Sequence, residues 1–210
     1  MTQRIIGLTG GIAMGKSTAS RYLQTAYQVP VLDADELARD AVQPGSGVLA
    51  TIAQRYGPSR VLHPDGSLNR PELAAIIFRD AEQRRWVEAQ IHPYVRDRMA
   101  EITQGLQGDV VWSVPLLFEA GLTNRVSQSW VVHCTPEQQH LRLQQRGLSP
   151  QEIQSRIEAQ WPIERKLAQA DVRLDNTGSL DSLYRQIDRA IAPSHHRDRE
   201  ATADDLADRP

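Results

Sequence analysis

The sequence contains very little cysteine and very little lysine. Its 210 residues include one cysteine, Cys134, and two lysines, Lys16 and Lys166, and arginine supplies the rest of the 24 basic residues. A single cysteine can neither close an internal disulfide nor provide a cysteine-based metal site, which favours a reducing, cytoplasmic location. Because arginine is used nearly everywhere else, Lys16 and Lys166 mark positions where a lysine needs an explanation.

Long apolar runs and an excess of one charge are also missing. The most apolar stretch, residues 110–118, is interrupted by Ser113 and Pro115, whereas a helix that spans a bilayer needs about 20 apolar residues. The first residues lead into an apolar run too short for a signal peptide, so we expect none. The formal net charge of −2 argues against binding to nucleic acid by bulk charge. The length suits one compact domain of ordinary core size.

Five short apolar runs alternate with helical patterns along the chain. Strands that alternate with helices predict a parallel sheet covered by helices on both faces, which is an α/β fold. Two helix starts carry capping boxes, because Thr135 and Ser149 are each followed by proline and, three residues on, by Gln138 or Glu152. The predicted strands are residues 4–9, 29–33, 109–114, 129–134 and 170–174.

The long interval between the second and third predicted strands is mostly helical. Helical patterns at 47–56, 71–78 and 81–102, with a loop at 57–69, exceed a simple crossover helix. We therefore expect a helical insertion subdomain beside the sheet. Residues 192–210 are polar and include two prolines, which predicts a disordered tail.

Residues 10–17, Gly-Gly-Ile-Ala-Met-Gly-Lys-Ser, fit the P-loop pattern G-x-x-x-x-G-K-[ST]. Glycines let the backbone curl so that successive N–H groups point into one concavity, and the helix that follows adds the positive end of its dipole. Lys16 would reach the β- and γ-phosphates of a nucleotide, and the Ser17 hydroxyl would coordinate Mg²⁺. The alternative is a glycine turn that binds nothing, but the strand before the motif and the helix after it favour polyphosphate binding.

Two carboxylates, Asp33 and Asp35, follow the second predicted strand. The carboxyl ends of parallel strands meet at one edge of the sheet, where ligands of open α/β sheets bind and where the P-loop also lies. A carboxylate at that edge could take a proton from an attacking hydroxyl or hold Mg²⁺ through water. The spacing leaves a second interpretation equally open, in which these residues begin a helix and Asp35 caps a helix over 36–42.

A few other side chains are candidates for the same edge. Arg142 and Arg146 are four residues apart and share a helix face, where they could stabilise a transferring phosphoryl group or simply be solvated. Arg156 allows the same two interpretations. His92 precedes a proline inside a helical stretch, which indicates either a kink beside a ligand or a packing break. Glu119 comes soon after the third predicted strand.

Taken in chain order, these motifs resemble the dephospho-CoA kinase family over about residues 4–191. The match joins the P-loop to Asp33-Ala34-Asp35, to His92-Pro93 and to residues 115–119, Pro-Leu-Leu-Phe-Glu. The P-loop alone would indicate only a large superfamily, whereas this combination is far more specific. The resemblance implies a three-layer P-loop NTPase core with a five-stranded parallel sheet (1–35 and 109–191), a helical CoA-side insert (about 36–108) and a mobile lid (about 143–165), together one kinase domain over 1–191.

The resemblance also implies an activity, the ATP-dependent phosphorylation of the ribose 3′-hydroxyl of dephospho-CoA, with Mg²⁺, as the last step of coenzyme A synthesis. It implies ATP and dephospho-CoA as the partners, with no nucleic acid and no membrane, and we expect a monomer or a weak homo-oligomer. The implied residues are Asp33, Lys16, Arg142 and Arg146 for catalysis; Gly11, Ile12, Ala13, Met14, Gly15, Lys16, Ser17 and Thr18 for ATP; Asp33, His92, Leu116, Phe118 and Glu119 for the acceptor; and Ser17 for the metal.

The P-loop departs from the family's usual Gly-Ile-Gly-Ser-Gly-Lys at two residues. Ala13 must have an ordinary backbone conformation or carry strain, and Met14 places a bulky apolar side chain near the phosphates. Because these positions bind through backbone N–H groups, we expect ATP binding to survive. Two other functions stay open: a kinase for another small molecule or a nucleoside monophosphate, and an NTP-hydrolysing switch. The sequence has no Asn-Lys-x-Asp guanine signature, which counts against the switch.

Overall fold

Five parallel strands form the centre of the structure, a computed structural model that describes residues 3–192. They are β1 (Ile5–Gly10), β2 (Val31–Asp33), β3 (Val110–Ser113), β4 (Gln128–His133) and β5 (Val172–Asp175). Their order in the sheet is β2-β3-β1-β4-β5, and every neighbouring pair is parallel. The five predicted strands and the α/β class are confirmed. The tail predicted for 192–210 lies, after its first residue, outside the described residues.

Ten α-helices connect and cover these strands within residues 3–192. The capping boxes predicted at Thr135 and Ser149 are both formed and begin the seventh and eighth helices. No helix in this part of the chain is long and apolar enough to cross a membrane. The helices are α1 (Lys16–Tyr27), α2 (Ala34–Asp40), α3 (Gly47–Tyr56), α4 (Pro58–Val61), α5 (Arg70–Arg79), α6 (Ala81–Gln104), α7 (Pro136–Gln145), α8 (Pro150–Glu158), α9 (Ile163–Gln169) and α10 (Leu180–Ile191).

Apolar side chains on both faces of the sheet hold three layers together. On one face, Leu23 of α1 and Ile187 of α10 pack with Trp130 of β4. On the other face, α2 and the second half of α6 cover the sheet, and Met99 packs with Trp112 of β3. Trp112 and Trp130 are both almost completely buried, because strands covered on two faces bury both sets of alternating side chains. The three layers leave the carboxyl ends of β1 and β3, which are neighbours, open at one edge.

The helices between β2 and β3 also form a smaller core of their own. Leu49 and Ile52 of α3, Leu73 of α5 and Val87 of α6 belong to it. This confirms the predicted helical character of the interval. The division of the chain at about residues 36 and 108 stays a prediction, since α2 and half of α6 pack on the sheet rather than on this smaller core.

The prediction of a loop over residues 57–69 was wrong near its start, where the chain forms the short helix α4. Gly57 has a φ of 91°, and Pro58 occupies the first turn of that helix. Proline suits this position because its fixed φ is helical and its missing N–H group would have no partner there. A helix of only 4 residues has no apolar periodicity to reveal it in the sequence.

Helix α6 runs over 24 residues and includes Pro93 in its interior. Proline cannot donate the backbone hydrogen bond to the residue four positions earlier, Ala89, so one helical bond is missing. Ala89, His92 and Pro93 all line the open edge of the sheet. The interruption of the helical ladder therefore lies beside the candidate site.

Candidate active site

A cleft of about 1480 Å³ opens at the carboxyl-terminal edge of the sheet. Its walls come from the P-loop, α2, the middle of α6, the loop after β3, α7 and α8. This is the predicted location, because ligands of open parallel sheets bind beyond the carboxyl ends of the strands. The predicted residues that line it are Gly11, Ile12, Ala13, Gly15, Lys16, Ser17, Thr18, Asp33, His92, Leu116, Glu119, Arg142 and Arg146.

Two predicted site residues, Met14 and Phe118, do not line the cleft. Met14 is 3% exposed and Phe118 is 5% exposed. Met14 points behind the P-loop, where its sulfur would lie 2.6 Å from a Cβ atom built on Gly11. The expectation that the Met14 side chain lies near the phosphates was therefore wrong. Phe118 lies in the interior, whereas its neighbour Leu116 is the exposed apolar residue of that loop.

The P-loop curls through two residues with positive φ. Gly15 has a φ of 113°, and a Cβ atom there would lie 2.2 Å from the amide nitrogen of Asn176, so only glycine fits. Ala13 has a φ of 58°, in the left-handed region that costs an L-residue about 1–2 kcal/mol. Of the two outcomes expected for Ala13, the structure has the strained one.

Four side chains from other elements bind the outer backbone of the P-loop, and we call them the P-loop collar. Arg142 donates to the Ala13 carbonyl (3.3 Å), Asn176 to the Met14 carbonyl (2.9 Å) and Gln139 to the Ile12 carbonyl (2.9 Å). The side-chain oxygen of Gln160 accepts from the Ile12 N–H group (2.9 Å). Three of these bonds fix carbonyl groups of the turn, and the fourth fixes an N–H group. The collar residues are Gln139, Arg142, Gln160 and Asn176.

Lys16, Asp33 and Ser113 form a hydrogen-bonded network on the cleft side of the P-loop. The Lys16 ammonium lies 3.5 Å from Asp33 Oδ2 and donates to the Ser113 hydroxyl. That hydroxyl in turn donates to Asp33 Oδ2 at 2.8 Å. Burial alone would raise the pKa of the Asp33 carboxyl, but the Lys16 charge and the bonds from Ser113 and the Asp35 amide lower it below its ordinary value. Asp33 is therefore ionised at neutral pH.

The sequence did not reveal two features of this network. Asp33, not Asp35, is the N-cap of α2, because Asp33 Oδ1 accepts from the Asp35 N–H group at 2.9 Å. The cap and the cleft carboxylate are thus one residue, and each of its two oxygens has a separate partner. Ser113 was missed as a site residue, although a polar residue that ends a buried apolar strand beside the P-loop strand was a usable signal.

Several positively charged side chains line the cleft near the P-loop. Arg142 is held by two backbone carbonyls, those of Ala13 and Asn176. Arg146 is the C-cap residue of α7 rather than part of the helix, and it is exposed to the cleft. Arg156 of α8 also lines it. Together with Lys16 these guanidinium groups give a positive wall, which suits a polyphosphate.

A sequence model of the dephospho-CoA kinase family matches residues 4–182. The chain belongs to the dephospho-CoA kinase family. It is therefore a kinase with a P-loop NTPase fold, as predicted, and the match decides against the NTP-hydrolysing switch.

Individual relatives match this protein in sequence or structure over nearly the whole chain. A dephospho-CoA kinase from Nostoc sp. is 51% identical over 193 residues, which cover 91% of this chain and 98% of the relative. One from Gloeobacter violaceus is 52% identical over 192 residues, covering 91% and 93%. A crystal structure from Thermus thermophilus has a TM-score of 0.78 at 36% identity and covers 91% of this chain and 98% of that one. A dephospho-CoA kinase from Campylobacter jejuni has a TM-score of 0.69 at 25% identity, covering 90% and 96%.

Within the dephospho-CoA kinase family, the departure at Ala13 and Met14 now has a structural account. The Ala13 N–H group lies in a left-handed turn that the collar residue Arg142 holds through the Ala13 carbonyl. Met14 fills space behind the loop instead of facing the cleft. Neither side chain replaces a backbone donor, which supports the expectation that ATP binding survives.

Proposed function

We propose that this protein transfers the γ-phosphoryl group of Mg-ATP directly to the 3′-hydroxyl of the dephospho-CoA ribose. Membership of the family supports the activity, which is the ATP-dependent phosphorylation of dephospho-CoA in coenzyme A synthesis. The observation that supports the choice of residues is the position of Asp33, whose carboxylate lies beside the P-loop lysine in a residue that lines the open cleft. In-line transfer needs no covalent enzyme intermediate, so catalysis depends on positioning and on charge stabilisation.

The ATP side of the proposed site is the P-loop. Its N–H groups and the start of α1 bind the phosphates, and Lys16 adds a compact charge. Within residues 3–192 no group of three or more His, Cys, Asp or Glu could hold a metal ion. Mg²⁺ that arrives on ATP needs only one or two protein oxygen ligands besides the phosphates. The Ser17 hydroxyl, exposed in the cleft beside Lys16, fits that role, and the ion would neutralise charge on the phosphates.

Asp33 is the proposed general base. Its Oδ1 atom accepts from the Asp35 N–H group of the helix cap, and its Oδ2 atom accepts from the Ser113 hydroxyl and lies beside Lys16. We assign Oδ2 as the oxygen that takes the acceptor proton, because departure of Lys16 would free one of its positions. Lys16 now lies beside that oxygen and lowers the pKa of the carboxyl. When Lys16 binds the phosphates of ATP, its hold on Asp33 weakens and the carboxylate becomes a better proton acceptor. Binding of the donor would thus prepare the base.

Arginines provide the charge stabilisation in this proposal. Arg146 and Arg156 are exposed in the cleft, and they are free to approach a transferring phosphoryl group. Arg142 makes two bonds to backbone carbonyls, so we assign it the task of shaping the P-loop as well as adding charge. Closure of the lid at about 143–165 would exclude water, which would otherwise compete with the acceptor for the phosphoryl group.

The acceptor would bind on the side of the cleft formed by α6 and the loop after β3. His92 and Leu116 are exposed there, and Glu119 also lines it. Ile91 and Leu122 line the same side, and a wall that combines apolar and polar groups suits a long acceptor that has both apolar and polar parts. We leave Phe118 out of this set because it is buried. The cytoplasmic location and the monomeric or weakly oligomeric state stay predictions.

The test of this function replaces Asp33 by asparagine. Asparagine is also a good N-cap, so Asp33→Asn keeps the bond to the Asp35 amide while it removes the base and its negative charge beside Lys16. We expect turnover to fall by about 10²–10⁴-fold, measured by ATP consumption with dephospho-CoA, with mass spectrometry to locate the added phosphate on the 3′-hydroxyl. Unchanged turnover would remove Asp33 from the role of base.

Asp35→Asn is the matched control, since Asp35 is an exposed carboxylate that lines the same cleft. Its turnover should stay within about threefold of the wild type. Both variants should bind Mg-ATP in titration calorimetry. A wild-type protein that consumes ATP without phosphorylating dephospho-CoA would contradict the proposed function itself.

A further inference from the structure

Lys166 is fully buried, at 0% exposure, on helix α9. Its ammonium forms an ion pair with Glu119 Oε1 at 2.9 Å and donates to the Pro115 carbonyl at 3.1 Å. A buried lysine that stays charged needs a close partner and further hydrogen bonds, because removal from water costs several kcal/mol. Both partners of Lys166 belong to the loop after β3, residues 115–119, which we call the acceptor loop.

The acceptor loop is also bound to the segment that joins α8 to α9. Glu119 Oε1 accepts from the backbone N–H group of Trp161 at 2.9 Å. The residue before it, Gln160, accepts from the Ile12 N–H group of the P-loop at 2.9 Å. Trp161 therefore binds the acceptor loop through Glu119, and the adjacent Gln160 binds the P-loop through Ile12.

A second connection reaches the P-loop strand. The Pro115 carbonyl accepts from Lys166 and also from the Thr9 hydroxyl at 2.9 Å. Thr9 is buried and lies in β1, just before the P-loop. Movement of the acceptor loop would thus disturb two bonds at the start of the P-loop, one at Thr9 and one at Ile12.

We propose that Lys166 and Glu119 are positioning residues that hold Gln160 and Trp161 in place, so that each substrate affects the affinity of the other. The inference rests on the proposed function, in which the acceptor binds against the wall that includes Leu116 and Glu119. An acceptor in contact with that wall orders the acceptor loop, and the bonds through Trp161 and Gln160 then order the P-loop. Each substrate therefore avoids part of the ordering cost once the other is bound.

Lysine fits this position better than arginine. From a fully buried site, a compact ammonium donates at once to a carboxylate oxygen and to a carbonyl oxygen. A guanidinium is larger and planar, and it would need new space in a packed interior. Lys166 is therefore retained for a packing reason, whereas Lys16 is retained for its approach to phosphates.

The experiment measures substrate coupling by titration calorimetry. The affinity for a non-hydrolysable ATP analogue with Mg²⁺ is compared with and without saturating dephospho-CoA. We expect the acceptor to tighten binding of the analogue by at least about fivefold in the wild type, the lower end of typical coupling. In Gln160→Ala and in Lys166→Met/Glu119→Gln, the ratio should fall to within about twofold of one. The double variant removes both charges together, because either single change would leave one buried charge unpaired.

Matched controls test whether loss of stability alone explains the result. Gln154→Ala removes an exposed glutamine of α8 that bonds only to Glu158 in the same helix. Arg98→Met/Glu101→Gln removes an exposed ion pair of α6. Both controls should keep the wild-type ratio. If the double variant fails to fold, Gln160→Ala still tests the inference, because it leaves the buried charges in place.

Two results would overturn the inference. One is a wild-type ratio near one, and the other is a folded Gln160→Ala or Lys166→Met/Glu119→Gln protein that keeps the wild-type ratio. Failure of the proposed function looks different, because dephospho-CoA would then neither bind nor receive phosphate in the wild type.

Discussion

Replacing Ala13 by glycine should make the protein more stable, although most glycine substitutions destabilise. The φ of 58° at Ala13 costs an L-residue about 1–2 kcal/mol relative to glycine. Glycine loses more freedom on folding, which offsets about 0.4–1 kcal/mol of that gain. Taken at the midpoints of these two ranges, the net gain is about 0.8 kcal/mol, equivalent to a rise in Tm of about 2–3 °C for a chain of this size. The bond from Arg142 goes to the Ala13 carbonyl and is kept.

The assay is thermal unfolding followed by circular dichroism, with Ala50→Gly as the control. Ala50 is an exposed residue inside α3, where glycine should lower the stability by about 0.5–1 kcal/mol. The same chemical change should therefore move Tm in opposite directions at the two positions. A fall in Tm for Ala13→Gly that matches the fall for Ala50→Gly would refute the strain argument. Affinity for Mg-ATP should change by less than about twofold, since no backbone donor is lost.

Three further predictions concern other residues. Gly15→Ala should abolish Mg-ATP binding in calorimetry and lower Tm well below that of the control Gly45→Ala. Both glycines have positive φ, but only at Gly15 would the new Cβ meet a neighbouring atom, the side-chain amide nitrogen of Asn176 at 2.2 Å. In the folded protein the pKa of Asp33 lies below its ordinary 3.8. The contribution of Asp33 to stability is therefore present at pH values above the pKa of the unfolded chain and is lost as the pH falls through the lower pKa of the folded protein. The gap in unfolding free energy between wild type and Asp33→Asn should therefore shrink from about pH 6 to about pH 3, and a gap independent of pH in urea titrations would count against this. Burial raises the pKa of the Cys134 thiol, so iodoacetamide should label it slowly in the native protein and rapidly in urea, and equal rates would contradict the buried position.

Local patterns were enough to predict the strands and the P-loop. Each strand is a short apolar run with its own turn signals, and the P-loop needs glycine and lysine at fixed spacing. The capping boxes at Thr135 and Ser149 are local in the same way, and both are formed. Features determined by neighbours within a few residues are visible in the sequence because the interactions that stabilise them are themselves local.

Features determined by distant contacts could not be predicted. In Leu116-Leu117-Phe118, three apolar residues follow one strand, and only packing against other elements decides that Leu116 faces the cleft while the other two are buried. Gln139 and Gln160 join the collar through bonds across more than 100 residues of sequence. A polar residue on a helix gives no sign in the sequence of which distant backbone group it will bind.

Helix α6 belongs to two hydrophobic cores at once. Val87 packs in the core of the helical insert, Val95 packs against the sheet, and Ile91 between them contacts both clusters. At about 1.5 Å per residue, the helix is about 36 Å long, so the two cores share one continuous backbone. Because the backbone of α6 is continuous across Pro93, we expect unfolding of the insert to destabilise the half of the helix beside the sheet as well, so that the two regions unfold together. Amide hydrogens in the two cores should consequently exchange with similar protection factors.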